Sequence, residues 1–163
     1  LMPPDLQVLI SQIVGEYEDQ LEAKELTLVL NIPEEPLMIL ADGRQIWRVF
    51  DNLLNNSCKY ALPGTRVYLD VCAEDAYAKI TLKNISAQPL NIEPDALMER
   101  FVRGDASRHT EGSGLGLSIA RDLTTLQNGT LMLRTDGDLF KVYLEFPLYH
   151  APDDPEKSDL PQE

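Results

Sequence analysis

Cysteine, histidine, positive charge and long apolar runs are all scarce in this sequence, and each shortage closes off a class of function. The two cysteines, Cys58 and Cys72, have no metal or redox spacing and read as reduced thiols in or near the core of a cytosolic domain. Lys and Arg number 14 against 27 Asp and Glu, a formal charge of −13. That balance argues against binding nucleic acid or an anionic membrane through a broad basic surface. No apolar run approaches the roughly 20 residues that span a bilayer. No signal-peptide pattern opens the chain.

What is there suits one folded domain. Over 163 residues, hydrophobic residues make up 44% and charged residues 25%, ordinary values for a globular chain. A chain of this size buries about 70% of its unfolded surface. The chain opens abruptly at Leu1 in the lead-in to a helix, the pattern expected of a domain excised from something longer. The domain is expected over 1–148. Residues 149–163 follow as an acidic, Pro-rich tail with little to bury, which predicts disorder.

Between those limits, Leu6, Leu9, Ile10, Ile13, Val14, Tyr17 and Leu21 recur at helical spacing and predict an amphipathic helix over 5–26. "LTLVLNI" and "LMILA" read as strands, and "RVYLDVCA" and "YAKITLKNI" as a hairpin across "EDA". "PDALMERF" reads as a short helical piece and "LGLSIARDLTTLQ" as a helix closed at Asn128-Gly129. "TLMLRT" and "LFKVYLEF" form a hairpin across Asp136-Gly137. This order predicts a two-layer α/β sandwich: a mixed, largely antiparallel sheet with one face covered by helices.

Two stretches carry chemistry. In "IWRVFDNLLNNSCKY" the positions Ile46, Val49, Phe50, Leu53 and Leu54 predict a buried helix face, N-capped by Asp42 and ended by Leu62-Pro63-Gly64. Asn52, Asn55 and Asn56 interrupt it, although Asn costs a helix roughly 0.5–0.7 kcal/mol relative to Ala. Asn52, Asn56 and Lys59 fall at i, i+4 and i+7, one stripe beside the apolar face. Carboxamide oxygens are hard neutral ligands suited to Mg²⁺, and an ammonium one turn on neutralises phosphate oxygens. A solvated polar face is the alternative for any single Asn.

The second stretch is "GSGLGLSIA", where Gly112, Gly114 and Gly116 stand directly before a helix. Glycines there let backbone N–H groups close on an anion at the helix's positive end. No Gly-Lys-Ser/Thr follows, so P-loop chemistry is excluded. Glycines also collect in flexible loops, and the weight of this motif comes from its pairing with the Asn helix.

Together the stretches resemble the ATP-binding catalytic domain of bacterial sensor histidine kinases, in the gyrase, Hsp90, histidine kinase and MutL superfamily. "NLLNNSCKY" resembles the N box, "ERFVRGD" the F box and the start of the ATP lid, and "GSGLGLSIA" the G2 box. The resemblance implies a Bergerat-type ATP-binding fold over residues 1 to about 148. It further implies that Asn56 holds the Mg²⁺ that bridges the phosphates, supported by Asn52. Lys59 then meets phosphate, Tyr60 lies against the nucleotide, Phe101 anchors the lid and Arg103 reaches toward the phosphates. The backbone of Gly112, Ser113, Gly114, Leu115, Gly116 and Leu117 wraps the triphosphate. The polar run "RGDASRHTEGSG" is expected to be mobile until ATP orders it.

One motif departs from the family. Counting back from Phe101, the Asp of its G1 box falls on Asn84 and the two Gly on Ser86 and Gln88. The family's Asp accepts a hydrogen bond from the adenine amino group. An Asn oxygen accepts it equally, but the NH₂ also suits a guanine carbonyl, which predicts a weakened preference for ATP over GTP.

The superfamily's ATPases and serine kinases place a Glu base where this chain has Asn52. An amide cannot take a proton, whereas a neutral imidazole nucleophile needs no base. The resemblance therefore points to a histidine kinase, with Asn52, Lys59 and Arg103 acting on the phosphates. Asp51, one position from the stripe, points off it. His109 and His150 lack the surroundings of a phosphoacceptor, so the domain is expected to bind nucleotide without phosphorylating itself. The acceptor and dimerisation helices are expected before Leu1, behind a membrane-bound sensor region. A response regulator is then the downstream partner, and nucleic acid is not a partner. The site would be a cytoplasmic domain of an inner- or plasma-membrane homodimer. A non-catalytic nucleotide-responsive domain, and an ATPase or serine kinase of the superfamily, are the competing readings.

Overall fold

The structure, a computed structural model, describes residues 3–90 and 115–150. Helix α1 (Leu6–Ala23) leads into β1 (Thr27–Asn31), α2 (Gly43–Tyr60), β2 (Arg66–Glu74) and β3 (Tyr77–Ile85). Helix α3 (Leu115–Leu126), β4 (Thr130–Asp136) and β5 (Leu139–Pro147) complete the described elements. The strands form one sheet in the order β1-β2-β3-β5-β4. β1 and β2 are parallel and the other neighbours antiparallel, so the sheet is mixed. A parallel pair needs a long crossover, and α2 supplies it.

Strand alternation assigns the faces. Val67, Leu69 and Val71 of β2, Ala78, Ile80 and Leu82 of β3, and Phe140, Val142, Leu144 and Phe146 of β5 are buried. They share one core with Leu6, Ile10 and Ile13 of α1, Ile46, Phe50 and Leu53 of α2, and Leu117 and Ala120 of α3. The two-layer sandwich is therefore present.

Helix ends follow the sequence closely. Asp42 caps α2, its carboxylate accepting from the Arg44 N–H at 2.9 Å. Asp5 caps α1 through the Gln7 N–H and also accepts from the Leu37 N–H at 3.0 Å, fastening the loop before α2. "LMILA" forms no strand. Met38 and Ile39 make only isolated antiparallel bridges, to Asp5 on one side and to Leu148 just past β5 on the other, too short to extend into a strand. The last hairpin turns one residue later than expected: Asp136 pairs with Leu139, and Gly137 takes the left-handed φ of 58°. The "PDALMERF" piece lies outside the described residues.

At the end of α3, the left-handed position belongs to Asn128 (φ 60°), and Gly129 serves another purpose. A Cβ on Gly129 would meet the Glu145 carbonyl oxygen at 2.5 Å and the Phe146 ring at 2.8 Å. Gly129→Ala is expected to cost about 3 kcal/mol in urea unfolding, through overpacking against backbone. Gly15→Ala, with open space around its Cβ in the middle of α1, is expected to gain about 0.5–1 kcal/mol. Equal midpoints for the two variants would contradict this packing.

Candidate functional site

The polar stripe of α2 faces the first turn of α3. The backbone N–H of Asp42 donates to Gln127 Oε1 at 2.8 Å, joining the start of α2 to the end of α3. Further along, Asn52 meets Gly116 near the start of α3, so the two helices run antiparallel. A Cβ on Gly116 would lie 3.4 Å from Asn52 Oδ1 and 3.8 Å from the Asn52 Cβ and carbonyl oxygen. The α3 backbone at Gly116 thus lies one methyl group's contact distance from the carboxamide, so even an alanine there would touch Asn52. Asn52 Nδ2 donates back to the Arg48 carbonyl at 2.8 Å. That bond fixes the amide and leaves Oδ1 toward α3.

Burial is graded along the stripe. Asn56 is 8% exposed, Asn52 is half-buried and Lys59 is exposed, its Nζ 5.1 Å from the Tyr60 ring centroid. Asn55 is exposed and off the stripe. Among the described residues, none hydrogen-bonds the Asn56 carboxamide. A buried polar group left unpaired costs about 1–3 kcal/mol.

The far end of α2 is knitted to the exit of β3. The Ala87 N–H donates to the Tyr60 carbonyl at 2.9 Å, the Leu62 N–H to the Ile85 carbonyl at 2.8 Å, and Ala61 bridges Ser86. Asn84 is thereby held, 2% exposed, beside α2, and its Oδ1 accepts from Ser57 Oγ at 3.5 Å. Ser86 Oγ accepts from the Gln88 N–H at 3.2 Å, a local turn held by a side chain. Leu117 is fully buried and packs in the core. Phe101, Arg103, His109, Gly112, Ser113 and Gly114 lie outside the described residues, as does the rest of the expected lid. His150 is exposed at the other end of the described chain.

Sequence reasoning missed three contacts: Ser57 with Asn84, Gln127 with Asp42, and Tyr17 with Asp51. The Tyr17 hydroxyl sits between the Asp51 carboxylate (2.5 Å) and the Asp51 carbonyl (2.9 Å), pinning α1 to α2 one residue before Asn52. A lone Tyr in the aliphatic face of α1 was the available signal, because a buried phenol needs a partner. Asp51 is thus tied to α1 and turned away from the stripe.

Fold and site together define a two-layer α/β domain with a polar seam between a carboxamide-bearing helix and a glycine-led helix start. The chain belongs to the family of histidine kinase-, DNA gyrase B- and HSP90-like ATPases, whose model matches residues 41–150. It is 29% identical over 149 residues to the sensor protein kinase WalK of Staphylococcus haemolyticus, covering 88% of this chain and 24% of that protein. The chain thus spans between about a quarter and a third of the length of the WalK relatives it matches. The catalytic domain of histidine kinase ThkA, in a nucleotide-free form, superposes with a TM-score of 0.74 at 21% identity, over 88% of this chain and 93% of that one. The mycobacterial sensor histidine kinase MprB gives 0.71 at 22% identity, over 90% and 97% of the two chains. At these identities the likeness is one of fold.

The Tyr17 phenol is pushed above its ordinary pKa by burial first and by the Asp51 hydrogen bond second. A raised folded-state pKa means that its stabilisation is complete below the unfolded value of 10.0 and is lost as pH rises beyond it. Tyr17→Phe is expected to cost about 1 kcal/mol at neutral pH and to flatten the alkaline fall in stability, measured by urea unfolding across pH. A variant that keeps the same alkaline slope would contradict this assignment.

Proposed function

We propose that this domain is the Mg-ATP-binding part of a sensor histidine kinase, positioning the γ-phosphoryl group for transfer to a histidine on a dimerisation domain. The observation that carries the reading is Asn56: buried, without a hydrogen-bonding partner among the described residues, and one turn from an Asn52 oxygen set against the first turn of α3. Membership of the ATPase family and likeness to kinase catalytic domains support it.

The residues fit a magnesium ion. No group of three or more His, Cys, Asp or Glu among the described residues forms a protein-only metal site. Mg²⁺ accepts one or two protein oxygens and takes the rest from water and phosphate. In this reading Asn56 Oδ1 holds the ion, which when bound neutralises charge on the phosphate oxygens. Asn52 orients the same phosphates, Lys59 and Arg103 add cationic donors, and Tyr60 lies against the base. Phe101 anchors the lid, and the backbone from Gly112 to Leu117 closes over the anion at the helix start. Asn52 holds no proton-accepting carboxylate, which favours an imidazole acceptor over water or serine.

Asn84 reads the purine edge. Ser57 occupies one lone pair of its oxygen, and the amide retains both an acceptor and donors for the base. The parent protein is read as a membrane-anchored homodimer with this domain in the cytoplasm, and a response regulator receives the phosphoryl group. Among the described residues no helix is long and apolar enough to cross a membrane.

Calorimetry of the domain with Mg-ATP and Mg-GTP tests the site. Binding of ATP is expected in the native chain and lost in Asn56→Ala, while Asn84→Asp raises selectivity for ATP. Unchanged affinity in Asn56→Ala would remove the metal site. A native preference for ATP of about a thousandfold, some 4 kcal/mol, would refute the role given to the Asn84 amide.

A further inference from the structure

The sheet face turned away from the helices carries a charge pattern that nucleotide binding does not explain. Lys83, Lys141 and Arg134 point outward there, because their strand neighbours Leu82, Asn84, Phe140, Val142 and Leu133 are buried. The register sets them side by side: Lys83 opposite Lys141, and Lys141 opposite Arg134. Directly opposed residues have Cβ atoms about 5 Å apart, where like charges are destabilising. Three adjacent cations thus cross β3, β5 and β4 in a chain of formal charge −13.

Only the first is neutralised. Lys83 lies 3.7 Å from Asp70 and 5.3 Å from the centroid of the Tyr68 ring. Lys141 and Arg134 have no carboxylate within ion-pair distance among the described residues, and Arg134 is exposed. A row of three cations on an open sheet face, two of them without an ion pair among the described residues, is a seat for an extended anionic segment.

The chain itself contains one. Residues 151–163 carry Asp153, Asp154, Glu156, Asp159 and Glu163 against a single Lys157. The described chain ends near the foot of β5, and Lys141 lies six residues up that strand from Pro147, roughly 20 Å at the rise of a strand. Thirteen residues reach at most about 45 Å when extended. Surface ion pairs are individually weak, but a tether places the carboxylates at an effective concentration near the millimolar range. We propose that the acidic segment 151–163 docks on the cationic row Lys83, Lys141 and Arg134 across the open face of the sheet. This surface lies on the opposite side of the sheet from the nucleotide site, so its test is independent of that reading.

A nitroxide on Ser158→Cys in the full chain, with exposed Cys72 replaced by Ser and buried Cys58 left in place, reports the contact through broadening of backbone amides. The amides of Lys83, Lys141 and Arg134 are expected to lose about half their intensity or more at ~50 mM salt and to recover near 1 M, where the screening length falls to about 3 Å. Lys141→Glu with Arg134→Glu is expected to abolish the effect. So is removing the segment's side-chain carboxylates by Asp153→Asn, Asp154→Asn, Glu156→Gln, Asp159→Asn and Glu163→Gln, which leaves the sheet untouched. No broadening of that row, or broadening indifferent to salt and to both variant sets, would overturn the proposal. Broadening that appears equally when spin label and isotope reside on different molecules would also overturn it, assigning the contact to a second copy.

Discussion

The antiparallel contact between α2 and α3 is the constraint on which the rest depends. It is fastened at one end by the Asp42 N–H on Gln127, and at the other Gly116 of α3 comes within side-chain contact distance of Asn52. Between those ends, Ile46, Phe50 and Leu53 of α2 and Leu117 and Ala120 of α3 enter one core. The polar stripe rides on the edge of that packed seam. Its side chains are therefore held by hydrocarbon beneath them, which keeps the Asn56 carboxamide in place although no described residue hydrogen-bonds it.

The same packing divides labour along the stripe. Asn56 is deepest and has no partner among the described residues, Asn52 is half-sheltered and tied back to its own helix, and Lys59 stands in solvent. A neutral carboxamide inside and a cation at the rim suit a polyanion. Tyr17 holds the outer side of α2 through Asp51, and the exit of β3 holds its end through Tyr60 and Ala61. Three independent attachments fix one helix, and that helix carries the polar stripe.

Much of this was legible because local rules and tertiary structure agree. Asp42 is an N-cap by residue type and by geometry, and the spacing of Asn52, Asn56 and Lys59 on a 3.6-residue period left them no face but one. The hairpins followed from alternation and a turn residue, with a one-residue slip at Gly137 because Asp136 still pairs with Leu139. What stayed hidden were facts of long-range contact. Nothing local announces that "LMILA" makes only isolated bridges, that Gly129 is demanded by the Glu145 carbonyl and the Phe146 ring, or that Ser57 hydrogen-bonds Asn84. The cationic row was equally invisible, since Lys83, Arg134 and Lys141 become neighbours only through the β3-β5-β4 register.

The central claim is that α2 and α3 present one site, with the Asn52 and Asn56 side chains and the Gly116 backbone touching the same bound nucleotide. Magnetic resonance of the two side-chain amide groups and the Gly116 amide during titration with magnesium and a non-hydrolysable ATP analogue tests it most directly. The account predicts that all three signals move together along one binding curve, with Asn56 alone shifting further when magnesium is present. Nucleotide binding that leaves these three signals in place while moving others would contradict it.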